Sequence, residues 1–199
     1  MAVYNTYSDA ANTAVRAFLT KVGEFYLQKT HGPGQSFNTG SGTGKELWRR
    51  IKEDEFKSCC AFCGRNEEVV KGGRLEIDHL VMFNRAQYGL HHPGNTVPIC
   101  KECNTRKKED GRHVGWRRQL ELICEERSEP ELFNSRLKRI ESHIKEYNYP
   151  DLSLQEKHAI QVMASSLSDS IKAEGEKALK LYQELDRAFV GGEMGEEGG

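Results

Sequence analysis

Apolar residues recur at intervals of three and four along the first part of the chain. The pattern runs from Asp9 to Gln28, with Ser8 before it as a candidate N-cap, and it predicts an amphipathic helix. Residues Gly32 to Gly44 are rich in glycine, serine, threonine and asparagine, which predicts a flexible loop. The sequence from Leu47 to Phe56 predicts a second, shorter helix.

The middle of the chain changes to a two-residue alternation. Leu75 and Ile77 alternate with charged residues up to Asp78, which is typical of a short strand. The sequence from Thr96 to Ile99 predicts a second strand, made irregular by a proline that cannot donate a hydrogen bond. From Asn104 onward the polar, basic sequence predicts the start of a helix.

The second half of the chain has a helical pattern. Three- and four-residue apolar steps predict helices over Trp116–Glu126, Glu131–Tyr147 and Leu152–Phe189. Gly175 interrupts the last of these and predicts a kink or a break. Residues 191–199 are a low-complexity segment of glycine and glutamate, predicted to be disordered. The whole pattern predicts an α+β fold that is mostly helical.

Composition limits the class of protein. The chain has 199 residues, of which 37% are hydrophobic and 30% charged, which suits one compact domain or a small domain with extensions. No stretch approaches the ~18 apolar residues of a membrane span. The start of the chain, Met1 to Asn5, lacks the basic and apolar segments of a secretory signal. We therefore expect a protein of the reducing cytoplasm without membrane association.

Charge is unevenly distributed along the chain. The net charge is −1, which disfavours a purely electrostatic nucleic-acid binder. Residues 101–118, however, contain seven lysines and arginines against three acidic residues. A local basic face of this kind can hold phosphates even when the total charge is near zero.

Two Cys-x-x-Cys pairs bracket the two predicted strands. Two residues between the cysteines let one turn aim both thiolates at a single ion, and two such turns complete a tetrahedral site. The predicted ligands of a structural zinc ion are Cys60, Cys63, Cys100 and Cys103. Cys59 could replace Cys60, but only Cys60 reproduces the spacing of the second pair. A redox dithiol is the alternative interpretation, and Cys124 is predicted to be a core residue.

Three polar motifs lie inside this bracket. Asp78-His79 ends the first predicted strand, Asn95 precedes the second, and Asn104 directly follows the last cysteine. In this order the motifs resemble the HNH endonuclease family, also described as ββα-metal endonucleases, in its zinc-stabilised branch. The resemblance covers residues 58–110, and it implies a small ββα-metal finger flanked by an N-terminal helix and a C-terminal helical region.

The resemblance also implies a reaction. A histidine titrates near neutral pH, and aspartate and asparagine offer the hard oxygen ligands that Mg²⁺ prefers. By resemblance His79 is the general base, Asp78 and Asn104 hold a catalytic Mg²⁺ or Mn²⁺, and Asn95 orients His79 through its backbone. Cleavage would leave a 5′ phosphate and a 3′ hydroxyl. Taken alone, the Asp-His pair would be satisfied by local hydrogen bonds, and Asn104 could simply cap a helix.

Basic side chains follow the last motif. Arg106, Lys107 and Lys108 are predicted to hold phosphates that flank the cut, although a solvated helix face is an equal alternative. His91 and His92 are interpreted as exposed loop residues and left out of the site.

Together these patterns predict four segments and one leading function. The segments are an N-terminal helix with a Gly-rich loop (1–46), a nuclease domain (47–112), a helical region (113–190) and a tail (191–199). The leading interpretation is a metal-dependent endonuclease that cuts DNA, most naturally double-stranded, as a restriction or antiviral defence enzyme. The alternative is a non-catalytic zinc-knuckle module that binds nucleic acid or assembles with other proteins. In either case the C-terminal helices could form a homodimer or bind a protein partner.

Overall fold

The computed structural model describes residues 6–189, so the predicted tail lies outside the described residues. The described chain is mostly helical with two small antiparallel sheets, as predicted. The helices are α1 (Tyr7–His31), α2 (Gly42–Arg50), α3 (Trp116–Glu126), α4 (Phe133–Glu146) and α5 (Leu154–Phe189). The strands are β1 (Glu76–His79), β2 (Thr96–Ile99), β3 (Lys108–Glu109) and β4 (Arg112–His113). A π-helical turn, Ile51–Glu55, extends α2, and 3₁₀ turns lie at Glu67–Val69, Pro93–Asn95 and Pro130–Leu132.

Helix α1 is longer than the pattern predicted, and its cap is a different residue. Thr6 has an extended backbone, and its Oγ1 accepts a hydrogen bond from the Asp9 backbone N–H at 3.2 Å. Ser8, the predicted cap, lies inside the first turn of the helix. The prediction of Ser8 was wrong because the cap must lie outside the helical backbone, and Thr6 is the hydroxyl residue with that conformation.

Helix α2 begins earlier than predicted, inside the glycine-rich segment. Gly44 is buried against the backbone of Asn38, at a distance that leaves no room for a Cβ. The helix can therefore pack directly on the loop that precedes it, which shortens the predicted flexible loop at its C-terminal end. Phe37, within this loop, is buried in the main core, and its carbonyl lies next to His91 in the segment that connects β1 and β2.

Strands β1 and β2 form the antiparallel hairpin at the centre of the fold. Glu76 pairs with Ile99 at one end and His79 pairs with Thr96 at the other, which confirms the two predicted strands. The main core packs on this hairpin; its fully buried side chains include Ile51, Phe56, Phe62, Val97, Ile99, Leu120 and Ile140. The core thus holds β2 rigidly and leaves the end of β1 at its edge.

The prediction that a helix starts at Asn104 was wrong. The chain is irregular after Asn104 and then forms the small β3–β4 hairpin, whose turn is Asp110-Gly111 with φ of 49° and 74°. Two successive positive φ values make a turn that reverses a strand, and Asp-Gly favours it. Gln119 of α3 fixes the irregular part, because it donates to the carbonyls of Cys103 and Thr105 and accepts from the Lys107 N–H. The next helix is α3, which starts at Trp116 as predicted, outside the predicted nuclease segment.

Helices α1 and α5 pack side by side in opposite directions and enclose a second, smaller core. The Tyr26 hydroxyl donates to Glu156 at 2.8 Å at one end, and Gly175 meets the ring of Tyr7 at the other. A Cβ at Gly175 would lie 2.6 Å from Tyr7 Cδ1, so this glycine permits a close helix contact. The predicted break is absent, since α5 is continuous from Leu154 to Phe189. No helix among residues 6–189 is long and apolar enough to cross a membrane.

Candidate functional site

The four predicted zinc ligands come together in one buried cluster. The sulfur atoms of Cys60, Cys63, Cys100 and Cys103 all lie within 4.8 Å of one another. The Cys63 and Cys100 sulfurs are 3.7 Å apart, and Zn–S bonds of about 2.3 Å in a tetrahedron place sulfurs about 3.8 Å apart. Cys59 lies outside the cluster with its thiol on the Lys57 carbonyl, and Cys124 is buried in the core, as predicted. The cluster could therefore hold a zinc ion.

Two tight turns shape the cluster. In the first, the Gly64 N–H donates to the Cys60 carbonyl at 2.8 Å, and Gly64 adopts a φ of 71° that glycine tolerates best. In the second, the N–H groups of Cys103 and Asn104 both donate to the Cys100 carbonyl at 3.0 Å. Hydrogen bonds among the thiols lower the pKa of Cys63 and Cys100, whereas the pKa of Cys60 and of Cys103 is raised, so metal binding would have to displace the protons that remain in the cluster.

A second site lies at the end of β1, where a cavity of about 350 Å³ opens to solvent. Three of the predicted catalytic residues line it: Asp78 and His79 from the last two positions of β1, and Asn104 from the turn after the cysteines. Neighbouring residues on a strand normally point to opposite faces, so both can reach one cavity only because the strand ends there. The other lining residues are Arg16, Met82, Phe83, Asn84 and Arg106.

His79 is held by a chain of hydrogen bonds that fixes its proton. Its Nε2 lies 2.9 Å from His91 Nδ1, and His91 Nε2 lies 3.0 Å from the carbonyl oxygen of Phe37. A carbonyl can only accept, so His91 Nε2 carries the proton and its Nδ1 accepts. His79 Nε2 must then donate, which leaves Nδ1 of His79 as the unprotonated nitrogen. The ring also stacks on Phe83, with centroids 4.7 Å apart.

Burial keeps His79 neutral. Desolvation, reinforced by the neighbouring His91 and by the positive charge of Arg16, lowers the pKa of His79 to about 3. The imidazole is therefore uncharged at neutral pH with one nitrogen open to a proton, and burial makes it a weaker base than an ordinary histidine.

Oxygen atoms of two side chains converge beside His79. Burial raises the pKa of Asp78, opposed by the charge of Arg106 and by the His79 backbone N–H. Asn104 Nδ2 donates to Glu76 Oε2 at 2.8 Å, which orients the amide and leaves its Oδ1 as an acceptor. Asp78 and Asn104 together offer the hard oxygen ligands that a divalent cation prefers.

Arg106 is the one member of the predicted basic trio that lines the cavity. Its Nη2 donates to the His79 carbonyl at 2.9 Å and lies 3.5 Å from Asp78 Oδ2. The side chain is only 9% exposed, and Nη1 has no hydrogen-bond partner among the described residues. Lys107 instead pairs with Glu126 at 2.6 Å, and Lys108 is exposed on β3.

Asn95 is buried behind the cavity and does not line it. Its backbone carbonyl accepts from the Leu80 N–H at 2.8 Å, directly after His79. Its side chain accepts from the Val81 N–H and donates to the carbonyls of Val81 and Leu90. These bonds close the loop that starts at His79 and returns with His91.

Both histidines interpreted as exposed are in fact held inside the fold. His92 is fully buried, and His91 supports His79. The interpretation was wrong because Gly23 of α1 lies directly against the His91 carbonyl and covers this loop. Arg16, also from α1, was missed because it falls on the polar face of an ordinary amphipathic helix. No spacing in the sequence links α1 to a loop some seventy residues later.

Comparison with known proteins identifies one segment of the chain. Residues 60–110 match the family model described as HNH endonuclease. The match begins at the first zinc-cluster cysteine and ends in the β3–β4 turn, and it includes Asp78, His79, Asn95 and Asn104. No curated protein and no solved structure matches the chain.

Proposed function

Because residues 60–110 are an HNH endonuclease domain, we propose that the protein is a metal-dependent endonuclease that hydrolyses phosphodiester bonds of double-stranded DNA. The observation that carries this proposal is the hydrogen-bond chain from His79 through His91 to Phe37. It leaves a neutral imidazole with one free nitrogen on a side chain that lines the same cavity as Asp78 and Asn104.

In the proposed reaction His79 is the general base. Its Nδ1 takes a proton from a water molecule, and the water oxygen forms a bond to phosphorus. The bond between phosphorus and the 3′ oxygen breaks, and the 3′ oxygen takes a proton from solvent. The products are a 5′ phosphate and a 3′ hydroxyl. His91 acts as a positioning residue, because it holds His79 in the tautomer that can accept the proton.

The residues beside His79 fit a divalent cation. Asp78 and the Oδ1 of Asn104 would hold Mg²⁺ or Mn²⁺, and both are oxygen ligands of the kind these ions take. When bound, such an ion supplies positive charge that stabilises the charge developing on the phosphate and on the 3′ oxygen. Arg106 Nη2 lies 3.5 Å from Asp78 Oδ2 and would contribute a second positive charge.

The cysteine cluster supports the same site. Asn104 directly follows Cys103, and its backbone N–H donates to the Cys100 carbonyl. A zinc ion on the four sulfurs would therefore fix the position of the Asn104 side chain. Zinc thiolates persist in a reducing compartment, which supports a cytoplasmic location for a restriction or antiviral defence enzyme.

The end of α5 supports a role in assembly. Several apolar side chains are exposed past Gly175, among them Leu181, Tyr182, Leu185 and Phe189. Exposed apolar residues on one helix are typical of a contact with another chain, so the proposal includes a homodimer or a protein partner there.

Plasmid cleavage tests the proposed function. Supercoiled plasmid with Mg²⁺ or Mn²⁺ should be nicked or linearised by the wild type, whereas His79→Ala should cut about 100-fold more slowly or worse. The matched control is His158→Ala, an exposed histidine on α5, which should cut at the wild-type rate. If the wild type cuts neither plasmid nor linear duplex, or if His79→Ala cuts equally well, the assignment is wrong. Cleavage of RNA but not of DNA would refute the proposal that DNA is the substrate.

A further inference from the structure

The catalytic cavity continues into a second depression along α1. This depression has a volume of about 270 Å³ and shares Arg16 and Asn84 with the catalytic cavity. It adds Asn12 from α1 and Arg85 from the loop after β1. The two cavities form one path. It leads from the proposed position of the scissile phosphate to the surface of α1, a helix that lies outside residues 60–110.

Two arginines along this path are not neutralised by an acidic residue of the described chain. Arg16 is exposed, Arg85 is half-buried, and neither forms an ion pair with a described residue. Several arginines elsewhere in the described chain are neutralised in place; Arg118, for example, lies 2.9 Å from Glu109 and 2.7 Å from Glu121. Two unpaired guanidinium groups on either side of one depression leave its charge available to an anion.

Buried and fixed donors point to the same kind of ligand. Arg106 Nη1 is without a partner among the described residues, although its side chain is more than nine-tenths buried and lines the catalytic cavity. A buried donor without a partner is costly, and a ligand oxygen would satisfy it. Asn84 Oδ1 accepts from the N–H groups of Ala86 and Gln87, so its orientation is fixed with Nδ2 as a remaining donor.

We propose that Arg16, Asn84 and Arg85 bind a DNA backbone phosphate next to the one that is cut, while Arg106 Nη1 binds the scissile phosphate. Asp78 is the acidic residue among those that line the two cavities, and Arg16, Arg85 and Arg106 line them as well. Guanidinium groups suit phosphate because their N–H groups match two of its oxygens at once. The inference rests on the proposed nuclease function and adds α1 to the DNA-binding surface.

Binding measured without cleavage tests the path. His79→Ala serves as the inactive background, and fluorescence anisotropy with labelled duplex DNA gives its affinity across a series of KCl concentrations without added divalent ions. Adding Arg16→Ala or Arg85→Ala should weaken binding about three- to tenfold, as expected for loss of one ordinary hydrogen bond at a solvated site. Each should also reduce the slope of log K against log salt by about 0.9, the value for one phosphate contact. Arg16→Glu should weaken binding further.

The matched control is Arg187→Ala, an exposed arginine on α5 about three turns past Gly175. It removes the same charge away from the path and should leave affinity and slope unchanged. Circular dichroism melts establish that each variant is folded. The inference is overturned if Arg16→Ala and Arg85→Ala behave like Arg187→Ala, or if the background protein does not bind duplex DNA. If the path variants weaken binding while wild-type protein cuts no DNA, the path stands and the nuclease proposal fails.

Discussion

The cysteine cluster and the catalytic cavity are built on opposite principles. In the cluster four sulfurs from two turns face one another, are buried, and leave no position open for another ligand. In the cavity several atoms keep unused capacity: Nδ1 of His79, Oδ1 of Asn104 and Nη1 of Arg106. A metal site whose ligands all come from the protein contributes to folding. Side-chain atoms without partners, in contrast, are available to bind a substrate or to transfer protons. We therefore expect substitutions in the cysteine cluster to lower the free energy of unfolding, and substitutions in the cavity to lower the rate of cleavage.

The largest effect is expected from Cys103→Ser, which opens the closed cluster. A structural zinc site contributes about 10–16 kcal/mol of apparent binding free energy, more than the stability of many domains. We expect the variant to lose its zinc and the segment around residues 60–110 to unfold. Elemental analysis should find about one zinc per wild-type chain and much less in the variant. Cys59→Ser, outside the cluster, should keep its zinc, and equal zinc in all three proteins would contradict the assignment.

A smaller loss of stability is expected from Asn95→Ala, at the residue directly before β2. It removes three hydrogen bonds of a buried side chain and leaves their backbone partners in the loop of residues 80–90 unsatisfied. We expect a loss of about 3 kcal/mol in the free energy of unfolding, measured by urea denaturation. The exposed Asn134→Ala on α4 should change it by less than about 0.5 kcal/mol. Similar values for the two variants would argue against this role of Asn95.

His91→Ala should separate rate from binding. Without His91 the His79 ring loses the acceptor that fixes its tautomer, so kcat should fall about 10- to 100-fold, while the Kd for duplex DNA stays the same. The ring ¹⁵N resonances of His79 should show a proton on Nε2 in the wild type and a mixture of tautomers in the variant. A drop in DNA affinity without a change in kcat would mean that His91 acts in binding instead.

The smallest effect concerns the α1–α5 pair, outside both regions. The Ser153 backbone N–H and then the Tyr26 hydroxyl lower the pKa of Glu156 from 4.5 to about 2. A lowered folded-state pKa means that the carboxylate stabilises the fold above about pH 4.5 and that this contribution is lost as the pH falls toward 2. The Tm difference between wild type and Glu156→Gln should therefore be largest near pH 6 and shrink below pH 4. Glu176→Gln, exposed on α5, should show no such trend.

Local features of the sequence were sufficient for the cysteine cluster and much of the secondary structure. The two Cys-x-x-Cys spacings predict the cluster because a tight turn brings both sulfurs together without help from the rest of the chain. The bounds of α3 were predicted to the residue. The predicted start of α1 was wrong because a cap depends on backbone conformation. The predicted helix after Asn104 was wrong because Gln119 and the Asp110-Gly111 turn impose another conformation on that segment.

The surroundings of His79 could not be predicted, since they depend on distant segments. Phe37, His91 and Arg16 reach His79 from a loop, a second loop and a helix, and their roles follow from contacts that no local spacing encodes. The roles of Asp78 and Asn104 as cation ligands and the proposed segment bounds at 46 and 112 stay predictions. The structure does, however, place Asp78 and Asn104 around one cavity with His79.

The contact between Gly23 and His91 affects whether residues 60–110 could be transferred to another protein. Residues 60–110 carry His79 and His91, but the carbonyl that sets their tautomers belongs to Phe37, and the surface that covers His91 belongs to α1. A graft of residues 60–110 into another scaffold would carry the zinc ligands and leave behind the support of the base. For the proposed reaction, the smallest transferable unit therefore begins at α1, and an added methyl group at Gly23 would disturb it.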